Sequence, residues 1–200
     1  FFFAGMGLLV SRLEVITALT KKLKMIFWFF CLACIPAYFL SALWLPFPDI
    51  IYWIIILAVI AQIAGWFLMT RILLENKAFI NKTFTEYGRI LLFLSAIAFT
   101  IKIILQSGSI HPSLSQLSYG FRPIIIGYLH LVLLAVTSIF IIGYIVSFKL
   151  HHLNKTMITG CFLFVAGIII NELLLMWQGV AALSYNSINN MNEYLLSAAV

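Results

Sequence analysis

From Pro123 to Phe148 the chain is continuously apolar, and His130 is the only basic or acidic side chain in the stretch. About 20 apolar residues in a helix cross a bilayer core. A run of this length therefore calls for a membrane span and rules out a helix buried in a soluble core. An imidazole in hydrocarbon is costly. Ionisable residues inside spans usually face a bundle interior and serve a pathway, a cofactor or a partner.

Composition extends the argument to the whole chain. Its 200 residues are 64% hydrophobic and 9% charged, with a mean hydropathy of +1.13. Soluble domains carry about 25% charged residues. The expected fold is all-α, a polytopic transmembrane helical bundle. Backbone groups in lipid must be satisfied internally, and long continuous runs do this as helices. The dyad alternation of barrel strands is absent.

Seven segments follow: a truncated helix at Phe1–Val10, complete spans at Met25–Leu45, Ile50–Leu74, Tyr87–Leu105, Pro123–Phe148 and Met157–Trp177, and a truncated helix from Met191. The chain opens and stops inside apolar runs. It reads as one transmembrane helical domain, residues 1–200, cut from a longer protein. The opening run lacks the basic region of a signal peptide.

The net charge of +6 does not point to nucleic acid, since no binding module accompanies it. The basic residues sit in short loops instead. Ten of the twelve Lys and Arg fall in alternate loops: Arg12, Lys21, Lys22 and Lys24, then Arg71, Lys77, Lys82 and Arg89, then Lys149 and Lys155. Loops 11–24, 71–89 and 149–156 are therefore expected in the cytoplasm, in a bacterial inner membrane. The partners expected are the lipid bilayer and other membrane subunits. Pro36 is expected to kink the second helix near mid-membrane.

The polar residues that remain gather on the opposite side. His130 lies seven residues after Pro123, and Glu172 five before Trp177. That places them about 10 and 8 Å deep on antiparallel helices. Asn171 adjoins Glu172. A His130–Glu172 pair would lower the cost of both groups in lipid. Lys102 and Arg122 flank a polar loop carrying His111 in the same layer. On the fifth span, Gly127, Leu134, Thr137, Ile141 and Tyr144 share a face with His130, and Gly127 would admit a close neighbour.

Three chemistries fit these residues. His130 could ligate a heme or metal, with Arg122 or Lys102 opposite a propionate. His130 and Glu172 could relay protons, with Asn171 beside them. Or the polar layer could only join helices, as in a non-catalytic membrane subunit. Cys31 and Cys34, spaced CxxC within a span, read as small apolar side chains. Gln62, in mid-span, is expected to bond a neighbouring helix. His151 and His152 read as part of a solvated basic loop. No soluble catalytic signature is present.

Phe121-Arg122-Pro123, then Gly127-Tyr128-Leu129-His130-Leu131 and the continuation from Leu134 to Tyr144, resemble a group of polytopic proteins of Bacteroidota-type bacteria. So does Ala37–Leu45, with Tyr38, Phe39 and Leu40 following Pro36. That group is distantly similar to heme–copper oxidase subunit I and to NnrS-like membrane proteins. The resemblance implies about twelve spans, hemes held by intramembrane histidines, and a respiratory or nitrogen-oxide-response role. It makes His130 a cofactor ligand and leaves copper open. The paired histidines of an oxidase's late helix are absent. A second ligand would have to come from outside these residues.

Overall fold

The computed structural model describes residues 5–7, 17–39, 48–111, 122–147 and 154–183. Every regular element among them is helical. These are α1 (Thr17–Tyr38), α2 (Asp49–Glu75), α3 (Lys77–Thr83), α4 (Glu86–Gly108), α5 (Arg122–His130), a π-helix (Leu131–Ser138), α6 (Ile139–Ser147) and α7 (Lys155–Leu183). Four stretches are long and apolar enough to cross a membrane: Asp49–Glu75, Glu86–Gly108, Ile124–Ser147 and Lys155–Ala181. The protein is an integral membrane protein, a polytopic bundle of helices whose apolar outer faces meet lipid.

Several boundaries differ from the sequence expectation. α1 starts at Thr17, not Met25, and takes Lys21, Lys22 and Lys24 into the helix. Lysine is a good helix former, and its long stem reaches outward from an apolar surface. Pro36 consequently lies in the last turn of α1 rather than near its middle. Its ring removes the N–H that would otherwise bond the Leu32 carbonyl four residues back. The expected loop 71–89 contains the short helix α3. Asn76 separates it from α2 by turning its side-chain amide back to donate to the Ile72 carbonyl at 2.8 Å. The truncated helices at 1–10 and beyond 190, and the loop with His151 and His152, lie outside the described residues, apart from the helical residues 5–7.

The chain falls into two compact units. One comprises residues 1–84 and 103–116, the other residues 85–102 and 117–200. In the first, α1 and α2 pack antiparallel. Gly65 lies so close to Phe30 that an added Cβ would sit 2.8 Å from the ring. Ile55 and Val59 of α2 form a fully buried centre, with Ala37, Ile51 and Ile110 against it. Gln62 and Gln106, both buried, join through an amide hydrogen bond of 2.9 Å. Sequence reasoning expected Gln62 to bond a neighbouring helix, and its partner is on α4.

In the second unit, Thr85 caps α4. Its hydroxyl accepts the Gly88 N–H at 3.2 Å and donates to the Val146 carbonyl at 2.9 Å. Gly88 lies directly against Ser147, and Gly143 against Leu91 and Leu92. These glycines let α4 and α6 approach with little side chain between them.

Candidate functional site

α5 and α7 run antiparallel in a fixed register. Ile124 meets Gly179, and Gly127 meets Leu175. Three residues further along α5, His130 meets Asn171: the ring Nδ1 and the amide Nδ2 are 3.0 Å apart. Depth counting from the sequence put residues 130 and 172 at one level, and the register does the same.

The ring's partner is Asn171. With the amide nitrogen toward the ring, Asn171 donates to Nδ1, and a neutral imidazole carries its proton on Nε2. With the amide oxygen toward the ring, Nδ1 donates and the Nε2 lone pair is free. The first state offers a hydrogen-bond donor, the second a metal ligand.

Glu172 occupies a core position of α7. The buried residues of that helix are Val165, Ile168, Glu172, Leu175 and Gly179, a single stripe at helical spacing. Glu172 is 8% exposed, and its Oε1 has no hydrogen-bond partner among the described residues. A buried carboxylate oxygen left unpaired is expensive. The expected direct pairing with His130 is therefore not made through this oxygen. The adjacent residue, Asn171, holds the ring.

The backbone beyond His130 departs from the regular helix expected there. Leu131–Ser138 is a π-helix. Such wide turns are rare, and when present are frequently found at functional sites. Hydroxyls add bonds to carbonyls of this stretch. Thr137 donates to Val132 at 2.9 Å and Ser138 to Leu133 at 3.0 Å, each five residues back. In the regular helices, Thr70 and Thr100 reach four residues back, to Trp66 and Ala96. Ser95 of α4, fully buried, donates to the Val136 carbonyl at 2.8 Å. Hydrocarbon offers these hydroxyls no water, so they donate to backbone carbonyls instead.

The wider turn also re-phases the span. At ordinary helical spacing, Leu134, Thr137, Ile141 and Tyr144 would share the face of His130. The buried face instead runs through Leu131, Ala135, Val136, Ile139, Phe140 and Gly143, with Ile141 exposed. Gly127 is not a point of forced approach, since an added Cβ would sit 3.6 Å from the Leu175 Cβ, an ordinary contact.

Lys102 is half-buried near the end of α4, with its Nζ 5.7 Å from the centre of the Phe99 ring. Arg122 is the first residue of α5, and its side chain lies outside the described set. His111 is exposed and falls in the first compact unit, whereas His130 falls in the second. Among the described residues, no three His, Cys, Asp or Glu side chains gather as a metal cluster. Cys31 and Cys34 are free and exposed, and Cys161 is free and half-buried.

Comparison with known protein families, curated proteins and solved structures finds no match to this chain. The class defined by the fold is an integral membrane helical protein with a His130–Asn171 contact and a buried Glu172 on its apolar helices.

Proposed function

We propose that this protein is a proton-coupled secondary transporter and that Glu172, with His130 and Asn171, is its intramembrane proton-binding site. The observation that carries the reading is the Glu172 carboxylate, buried in a core stripe with Oε1 unpartnered. A carboxyl that gains and loses a proton there can couple charge neutralisation to helix movement. The π-helix beside His130 adds support. Transporter sites typically lie where a mid-span helix is irregular, and this span is irregular just past the imidazole. The Lys and Arg of segments 11–24, 71–89 and 149–156 support a topology with those segments on the cytoplasmic side of a bacterial inner membrane.

The purified protein would be reconstituted in vesicles enclosing a pH-sensitive dye and given an imposed proton gradient. Proton flux present with the native protein and lost in Glu172→Gln is the expected result. Equal flux from both sinks the reading.

A second reading has one specific observation behind it. A metal-ligating histidine commonly donates its other ring N–H to a fixed polar partner, and Asn171, which faces Nδ1 of His130, would serve as that partner with its amide oxygen turned to the ring. In this reading His130 is an axial heme ligand in a heme–copper-oxidase-like respiratory or nitrogen-oxide-response protein, with Lys102 and Arg122 offsetting propionate charge. A reduced-minus-oxidised spectrum of protein made with ample heme, recorded beside His130→Ala, distinguishes the two. A band that shifts in the variant supports heme. A flat trace removes it and leaves the flux assay to decide.

A further inference from the structure

A groove between α1 and α2 is zoned along its length. At its rim stand Lys22 from α1 and Arg71 and Glu75 from α2. One turn further in, its walls are Met25 and Ile26 facing Leu68 and Ile72. The groove has a volume of about 290 Å³ and is open to its surroundings. Its direction follows from the antiparallel packing that sets Phe30 against Gly65. Residues deeper in the groove are deeper in the spans.

The charge at the rim is unbalanced. Lys21, Lys22 and Lys24 are exposed within the first turns of α1, and none forms an ion pair among the described residues. Arg71 gives its Nε to Glu75 at 3.0 Å. A guanidinium has further N–H donors, on its Nη atoms, that can take a second acceptor. Guanidinium favours phosphate through its planar fork, and lysine ammonium supplies a point charge beside it.

We infer that this groove binds an anionic phospholipid. The phosphate sits between Lys22 and Arg71, and an acyl chain lies along Met25, Ile26 and Leu68. The charged-then-apolar order of the walls matches the order of groups in a phospholipid entering from the membrane surface. Basic pockets between spans recognise anionic headgroups in this way. An acidic peptide would find charge at the rim but no reason for the apolar continuation into the span. The inference is independent of the transport reading, because all the residues it uses lie on α1 and α2.

The test is thermal unfolding of the detergent-purified protein, titrated with phosphatidylglycerol, with phosphatidylcholine or with inorganic phosphate. Phosphatidylglycerol should raise Tm by roughly 5 °C or more at saturation, and the other two additives should not. The rise should shrink at high salt and be lost in the double variant Lys22→Gln, Arg71→Gln. It should grow in Glu75→Gln, which frees Arg71 from its intramolecular partner. Glu75→Gln also keeps the test decisive if the double variant does not fold. An equal rise with phosphatidylcholine, an equal rise with inorganic phosphate, or a phosphatidylglycerol effect unchanged in Glu75→Gln would each overturn the lipid site.

Discussion

The hydroxyl of Ser95 on α4 donates to the carbonyl of Val136 inside the π-helix, at 2.8 Å and without solvent exposure. One side chain on a neighbouring helix thereby adds a bond to a carbonyl of the irregular stretch, which also accepts from the Ile139 N–H. Ser95→Ala would remove this interhelical bond. The expected cost is about 1 kcal/mol. Reversible unfolding in mixed micelles measures it, and a variant as stable as the native protein would show that the π-helix does not depend on Ser95.

Gly88 and Gly127 make opposite predictions from the same substitution. A Cβ at Gly88 would lie 2.6 Å from the Cα and 2.8 Å from the backbone nitrogen of Ser147. Backbone cannot swing aside as a side-chain end can, so Gly88→Ala should lose about 1–3 kcal/mol. At Gly127 the new methyl meets Leu175 at ordinary contact distance. There the helix gains the usual preference for alanine, about 0.5–1 kcal/mol. Parallel melting curves of the two variants should move in opposite directions.

Gln62 and Gln106 bond each other while buried. Replacing either alone with leucine removes this buried bond and should cost about 1 kcal/mol. Replacing both should cost less than the sum of the singles, because each single already removes their shared bond. A double-mutant cycle on unfolding free energy gives the coupling directly. Strict additivity would mean that the pair does not contribute as a unit.

Arg71 and Glu75 form an exposed pair at i, i+4 on α2. Such pairs contribute about 0.3–0.5 kcal/mol. Glu75→Gln in pure detergent should therefore leave unfolding nearly unchanged. That result matters beyond stability, since it means any larger lipid effect in the same variant comes from Arg71's release.

The spans were legible because hydrocarbon imposes one simple demand, continuous apolar length. α2 was expected at Ile50–Leu74 and runs Asp49–Glu75. The level of His130 with residues 171 and 172 was also legible, from helical rise alone. The start of α1 was not, because lysines read as loop markers are equally at home in a helix that emerges into water. Asn171 was noted only as a neighbour of Glu172. Residues adjacent in sequence point about 100° apart on a helix, so depth alone does not choose between them. The π-helix left one faint signal, the hydroxyl pair Thr137-Ser138 in an otherwise apolar run. Its third hydroxyl, Ser95, comes from α4, outside that run.

The π-helix also means that the fifth span holds more chain per turn than its neighbours. Removing a single residue between Leu131 and Ser138 would let the stretch rewind as ordinary α-helix, because the residue lost is the surplus that the wide turn accommodates. The flanking contacts, His130 with Asn171 and Gly143 with Leu91, could then keep their places. The same deletion in a regular stretch of the span would instead turn one side against the other by about 100°. The slack of this span is thus held in its winding, and the facing of the imidazole is set by the segment that precedes it.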